Sequence, residues 1–284
     1  MEKTKLCVIG DPVEHSLSPV IHNAVLSGAA LPYEYGRVRV RAGETADFLC
    51  RAREEGYAGF NATMPHKTAL VDLMDELDAD AQLFGAVNTV VLRDGKARGC
   101  NTDGRGFLQM LADGGIAPEG KTVTVLGAGG AARAVVLKLA QAGAARIFVC
   151  NRTLEKAAAL ERIFPDRITA CPFTARTLGD CALFSDLLVN TTPMGMTAVA
   201  DQFASFAFLR ALPQGAPVCD LIYSPPETAL LAAAKALGHP TLNGLGMLIH
   251  QAIFALEEFT GTQIDAQAVL PRIRAALREQ IPTE

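Results

Sequence analysis

The sequence predicts a two-domain α/β protein in which a doubly wound domain interrupts a smaller α/β domain. Three observations carry this. Residues 123–153, VTVLGAGGAARAVVLKLAQAGAARIFVCNRT, read as strand, glycine turn, helix and second strand. The first third of the chain has a strand–helix alternation of its own, and the last forty residues hold two amphipathic helices with no strand between them.

Taken in order, residues 6–9 read as a strand, 19–29 as a helix, 33–40 as a strand, 44–55 as a helix and 59–63 as a strand. Residues 68 to about 80 look helical and 86–92 return to strand. This pattern implies a small, mostly parallel sheet. Residues 99–106 are polar and glycine-rich and mark a domain crossover, followed by a connecting helix at 107–114. A second α/β run extends from 121 to about 241, with further strands at 187–190 and 217–221. Helices at 245–259 and 266–279 then need another apolar surface to cover, so they are expected to return to the first domain. The domains are therefore 1–104, completed by 243–284, and 105–242, with a cleft expected between the two sheets.

The glycine turn carries the first chemical information. Gly127, Gly129 and Ala132 fit G-x-G-x-x-G/A, the Rossmann-type dinucleotide turn. The first glycine allows the tight bend and the second lets backbone approach a pyrophosphate. Ala132 keeps helix and strand close, and the helix N-terminus faces the anion. A lone triplet is weak evidence, but this one follows an apolar β-rich run and opens a helix. At the end of the second strand an NAD site places Asp or Glu to accept from the ribose 2′-hydroxyl. Here Asn151-Arg152-Thr153 stands instead, with Lys156 beyond and no acid before Glu155. A 2′-phosphate repels an acid and welcomes a guanidinium, so the chemistry favours NADP. The plainer alternative is that Arg152 and Lys156 are a solvated helix start.

Composition excludes several classes of function. The 284 residues suffice for two cores, and half of them are hydrophobic. A formal net charge of −4 without a basic run gives no support for nucleic-acid binding. Apolar stretches are interrupted by Arg133, Lys138 and Lys235, so no membrane span is expected. The start, MEKTKLCVIGDP, has no signal-peptide core, and the seven cysteines show no C-x-x-C pair. This argues for reduced thiols in a cytoplasm, with neither disulfides nor zinc. The five histidines show no metal-ligand spacing and read as surface groups or supports behind a site, so no metal is expected.

Four polar stretches in the first domain are candidates for chemistry. In His15-Ser16-Leu17-Ser18-Pro19, Ser16 and Ser18 point the same way if the loop is extended. Ser18 alone is also explained as a helix cap before Pro19. In Asn61-Ala62-Thr63-Met64-Pro65-His66-Lys67 a small-residue strand ends in a proline turn that presents a lysine. Viewed alone, Lys67 reads as a solvated surface lysine. Gly85-Ala86-Val87-Asn88-Thr89 sets an amide beside an apolar strand, and Asn101-Thr102-Asp103-Gly104 supplies a carboxylate. Ordinary turn chemistry explains each of these in isolation.

Together they do more. With SLSP at 16–19, NATMPHK at 61–67, GAVNT at 85–89 and NTDG at 101–104, the chain closely resembles the shikimate dehydrogenases. GAGGA at 127–131, NRT at 151–153, NTTPMGM at 190–196 and NGLGML-x-x-Q at 243–251 follow in that family's order. Ala62, where many members have Val, and Asn243, where Asp often stands, depart from the pattern. The resemblance implies an NADP-dependent oxidoreductase of aromatic amino-acid (chorismate) biosynthesis that reversibly reduces 3-dehydroshikimate to shikimate. It places Ser16, Ser18 and Tyr223 on the substrate carboxylate, and Thr63, Asn88, Asp103 and Gln251 on the ring hydroxyls. Lys67 and Asp103 are the implied catalytic pair, the lysine supplying a proton and the aspartate orienting it.

NADP is expected on Gly127, Ala128, Gly129, Gly130 and Ala131 and on Asn151, Arg152, Thr153 and Lys156. Thr191, Leu221, Gly244 and Met247 are expected near the nicotinamide, although Leu221 and Met247 read equally well as core residues. Three alternatives stand beside this reading. A quinate/shikimate dehydrogenase using NAD is opposed by the Ser16–Ser18 pair and by Arg152. A non-catalytic NADPH-sensing regulator predicts decay of the Lys67–Asp103 pair. A folate-processing dehydrogenase of similar shape does not suit the SLSP and NTDG pieces. The oligomeric state, monomer or homodimer, is left open.

Overall fold

Apolar TKLCVIG forms β1 (Thr4–Gly10), buried from its third residue onward and central to the first of two sheets. The computed structural model describes residues 3–197 and 199–280. After β1 come α1 (Ser18–Gly28), β2 (Tyr33–Arg39), α2 (Thr45–Glu54), β3 (Tyr57–Ala62), β4 (Glu76–Leu77), α3 (Ala79–Phe84), β5 (Thr89–Arg93), β6 (Lys96–Cys100) and α4 (Asp103–Asp113). The strand order is β2-β1-β3-β5-β6-β4. The sheet is mostly parallel, as expected, with one reversed strand: β5 runs antiparallel to both β3 and β6, while the other five share one direction. The reversal comes from Asp94-Gly95, both at positive φ in a two-residue hairpin turn.

The helix expected over 68–80 does not form. A 3₁₀ turn (Val71–Leu73), β4 and the start of α3 occupy that stretch. The Asp75 N–H donates to the Ala97 carbonyl and that of Asp78 to Gly99, so the open edge of β6 captures this backbone. Pairing to a strand outweighs a weak helical pattern. The Asp78 carboxylate then caps α3, accepting from the Ala81 N–H at 2.6 Å. Residues 99–106, read as a crossover, hold the end of β6 and the first turn of α4.

The second sheet is parallel throughout. Its elements are β7 (Thr122–Leu126), α5 (Gly130–Gln141), β8 (Arg146–Asn151), α6 (Leu154–Glu161), β9 (Ile168–Pro172), α7 (Ala175–Leu183), β10 (Leu187–Asn190), β11 (Val218–Asp220), α8 (Ala229–Ala236) and β12 (Thr241–Asn243). The order β12-β11-β10-β7-β8-β9 reverses direction between β7 and β10. At such a switch point the two following loops part and leave a crevice at the strands' C-terminal ends.

Two helices complete the chain, α9 (Leu245–Thr260) and α10 (Ala266–Arg278), and no described helix is long and apolar enough to cross a membrane. The molecule divides into two compact units, one holding residues up to 106 together with those from 248 onward, the other 107–247. In the first unit α10 lies on α1, and α9 is tied down by Glu258, which pairs with Arg98 of β6 and Arg105 of α4 at 2.8 and 2.9 Å. Burial alone would push the Glu258 carboxyl up, but the two guanidiniums outweigh it and hold it below the usual carboxylate range.

His22, His66, His239 and His250 are buried, which removes the surface alternative for these four. His66 spans Thr45 Oγ1 and the Val40 carbonyl, each at 2.8 Å. The carbonyl requires Nε2 to donate, so Nδ1 accepts from the hydroxyl. His22 stacks on Tyr35 at 3.9 Å between centroids, and neither ring nitrogen has a partner. Burial pushes its pKa down to about 3. The unfolded chain therefore takes up a proton near pH 6.5 that the folded chain refuses. Stability present above that pH is lost as pH falls toward 3, by roughly 1.4 kcal/mol per unit at most. Urea melts from pH 7 to 4 are expected to show this slope in the wild type and a shallower one in His22→Leu. Equal slopes would remove the histidine from the account.

Candidate active site

In the first unit, three of the sequence motifs converge on one polar network. Strand β3 delivers Asn61 and runs into the turn carrying Thr63 and Lys67. Residues before β5 deliver Asn88, and the first turn of α4 delivers Asp103. Lys67 Nζ donates to Asp103 Oδ2 at 2.6 Å, and Asn88 Nδ2 donates to Asp103 Oδ1 at 2.8 Å. Asn88 cannot turn over, because its Oδ1 accepts from the Thr102 N–H at 2.9 Å and the Thr89 hydroxyl at 2.8 Å. Lys67 is 28% exposed and Asp103 12%. The pair is thus shielded enough to be held in one geometry, yet the ammonium keeps an open side.

Behind Asn88 the network continues. Asn61 Nδ2 donates to the Asn88 carbonyl and to Thr89 Oγ1, and the buried Tyr35 hydroxyl donates to Asn61 Oδ1 at 2.6 Å. Sequence reasoning assigned no role to Tyr35, Asn61, Thr89 or Thr102. A buried asparagine inside an apolar strand is the signal that was available, since Asn is disfavoured there and buried amides need partners.

The serines sit differently from the expectation. Residues 16–17 are not extended: the Ser16 N–H donates to the Val13 carbonyl in a turn, and Leu17 is helical. Ser18 is the first residue of α1 and does not cap it; Ser16 Oγ accepts from the Ser18 N–H at 3.3 Å. Arg37 clamps the same turn through the Ser16 carbonyl. Pro19 sits in the first helical turn, as expected. Thr63 is half-buried, with its N–H bonded to the Ile9 carbonyl. Gln251, on α9, donates through Nε2 to the Leu248 carbonyl, and no bond joins it to the Lys67 network among the described contacts.

In the second unit the glycine turn follows β7, beside the end of its neighbour β10. Gly127 has φ +104°, and its N–H donates to the Cys150 carbonyl. A Cβ there would lie 2.7 Å from Thr191 Oγ1, which itself donates to the Leu126 carbonyl. Thr191 therefore sits against the turn. Gly129 precedes α5 with no side-chain cap, and Cβ atoms built on Gly129 or Gly130 meet nothing within 4 Å. The helix thus presents uncapped N–H groups beside open space, the arrangement a pyrophosphate needs. Ala132 is fully buried against the sheet.

Asn151 Oδ1 accepts from the Ala128 N–H and its Nδ2 donates to the Thr153 carbonyl, so one side chain ties β8 to the turn. Arg152 is exposed and paired with the exposed Asp201. Such a surface pair contributes about 0–1 kcal/mol, leaving the guanidinium available to a stronger anion. Thr153 and Lys156 are also exposed. These residues fit a dinucleotide with a 2′-phosphate.

Leu221 and Gly244 are adjacent: a Cβ on Gly244 would come within 1.9 Å of the Leu221 carbonyl oxygen. Only glycine permits that approach, so Gly244 is required by packing. Met247 is half-buried, and Tyr223, on the turn after β11, is half-buried in this second unit, where burial pushes its phenol up. Asp220 is a structural carboxylate, accepting from Asn190, Thr228 and the Ile222 N–H; burial nonetheless pushes its pKa up.

Comparison with known proteins identifies the family. Residues 8–90 match the shikimate dehydrogenase substrate binding domain, 113–198 the shikimate / quinate 5-dehydrogenase family and 244–274 the shikimate 5′-dehydrogenase C-terminal domain. The NADP(+) shikimate dehydrogenase of Desulforamulus reducens is 41% identical over 265 residues, covering 91% of each chain. The crystal structure of Thermus thermophilus shikimate 5-dehydrogenase in complex with NADP(H) and shikimate superposes with TM-score 0.84 at 34% identity, over 96% of this chain and 99% of that one. The Listeria monocytogenes shikimate 5-dehydrogenase in complex with shikimate and NAD gives 0.86 at 31% identity, over 95% and 96%. By motif order, by fold and by identity along nearly its whole length, the chain belongs to the shikimate dehydrogenase family.

Proposed function

We propose that this chain is an NADP-dependent shikimate dehydrogenase, an oxidoreductase that interconverts 3-dehydroshikimate and shikimate on the route to chorismate and the aromatic amino acids. The observation that carries the reading is the 2.6 Å Lys67–Asp103 pair, braced by Asn88. Residues up to 106 with those from 248 onward would be the substrate domain, and 107–247 the NADP domain. Seven free thiols suit a reducing compartment such as the cytoplasm.

In this mechanism Ser16 and Ser18, with the Tyr223 phenol, donate to the substrate carboxylate. Thr63, Asn88, Asp103 and Gln251 hold the ring hydroxyls. For a polyol, each directed bond discriminates, because an analogue lacking a hydroxyl leaves a polar group unpaired. NADPH, when bound, supplies the hydride. Lys67 donates a proton from Nζ to the oxygen that becomes the hydroxyl, and in the oxidising direction Nζ takes that proton back. Asp103 keeps the ammonium aimed by holding one of its three N–H bonds. Arg152 and Lys156 neutralise the 2′-phosphate, while the N–H groups opening α5 hold the pyrophosphate.

The test is NADP reduction by shikimate, compared with quinate and with NAD. Turnover with shikimate and NADP in large excess over the other pairs is expected. Tight NADPH binding without turnover would favour a sensor, and preference for quinate with NAD the alternative dehydrogenase. Arg152→Ala is expected to raise the KM for NADPH about 10–100-fold, the worth of one or two charge-assisted bonds, and to leave that for NADH nearly unchanged. Parallel rises for both coenzymes would remove Arg152 from phosphate recognition.

A further inference from the structure

Read along the chain, the seven cysteines look scattered, yet the fold brings three of them together. Cys150 and Cys171 are register partners on the parallel strands β8 and β9, so their side chains leave the sheet on the same face. Helix α7 lies across that face and adds Cys181. Sγ of Cys150 lies 3.9 Å from that of Cys181, which lies 3.8 Å from that of Cys171, and the three sulfurs all fall within 4.8 Å of one another. The point in their plane equidistant from the three sulfurs lies within about 2.5 Å of each, near the roughly 2.3 Å of a thiolate–zinc bond, and a pyramidal centre above that plane draws the sulfurs closer together.

The surroundings decide what kind of atom. The three cysteines are buried among Leu126, Leu178, Ala182, Leu188 and Phe208. A divalent ion held by three thiolates would leave a net negative charge in this apolar cluster, where unpaired charge is costly. A trivalent thiophilic centre leaves none.

We propose that Cys150, Cys171 and Cys181 form a binding site, separate from the hydride-transfer chemistry, for trivalent arsenic presented as its neutral hydroxide. Three As–S bonds form and three As–O bonds break. Each thiol proton leaves with a hydroxide as water, the oxidation state is unchanged, and the adduct is neutral. β9 is the edge strand of its sheet, and Cys171 and Cys181 keep 8% and 5% exposure, so a small uncharged solute reaches the sulfurs through local side-chain movement.

The test uses the full chain with Cys50→Ser, which removes the exposed thiol. After incubation with sodium arsenite and gel filtration, native mass spectrometry is expected to show one arsenic gained and three hydrogens lost per chain. X-ray absorption at the arsenic edge should report three sulfur neighbours and no oxygen. Cys171→Ser and Cys181→Ser in that background should retain roughly tenfold less arsenic or worse, whereas Cys7→Ser, a buried thiol elsewhere, should retain it all. Absence of retained arsenic, an arsenic–oxygen shell, or equal retention in folded cluster variants would overturn the proposal. The absorption measurement needs no cluster variant, so a substitution that unfolds the protein leaves the test standing.

Discussion

Lys67→Ala is expected to lower kcat for shikimate oxidation by about 10²–10⁴-fold, the usual cost of a positioned acid–base group. NADPH affinity should be unchanged, because the substitution lies in the first unit and the residues proposed to hold the dinucleotide lie in the second. Lys67→Arg should not rescue. A guanidinium satisfies the charge but does not give up its proton, and its planar fork does not fit a site that uses one N–H on Asp103 and another on substrate. Steady-state kinetics with a fluorescence titration of NADPH separate the two effects. A variant within about threefold of wild type would return Lys67 to the status of a solvated lysine, the reading its isolated sequence context supports as well.

The contrast shows what was legible in the residues. The dinucleotide unit was readable because its signal is local: an apolar run, Gly127 and Gly129 at fixed spacing, then a helix. The first unit was harder. Asp94-Gly95 is a strong hairpin signal that explains the antiparallel β5–β6 pair, but a strand–helix alternation makes no use of it. β4 has only two residues and exists because β6 offers an unpaired edge, which no local pattern encodes. At the site, Lys67, Asn88 and Asp103 were named through their motifs, while Tyr35 and Asn61 were not. Their roles depend on β2 and β3 flanking β1, a fact of topology. Likewise the spacing of Cys150, Cys171 and Cys181 along the chain says nothing of their convergence; parallel register does.

Asp103→Asn, nearly isosteric, is expected to be at least as damaging as Asp103→Ala. Both carboxylate oxygens accept, one from Lys67 and one from Asn88. An amide supplies one acceptor and one donor, so in either orientation its NH₂ faces a donor. Asn88 cannot accommodate it by turning over, because the Thr102 N–H can only donate and already holds Asn88 Oδ1. We expect a loss of about 10²-fold or more in kcat and of roughly 1–3 kcal/mol in stability for the unmatched buried group. The same logic predicts a rescue. With Asn88→Asp added, the new carboxylate accepts from Thr102, from Thr89 and from the new amide at 103, whose oxygen is then free to accept from Lys67. The Thr102 hydroxyl, which now accepts from Asn88 Nδ2, reverses to donate. The double variant should therefore exceed the single Asp103→Asn by about tenfold in kcat, a positive coupling that independent sites do not show. If the two losses simply multiply, the hydrogen-bond polarity running from Thr102 through Asn88 to Lys67 is not what aims the lysine.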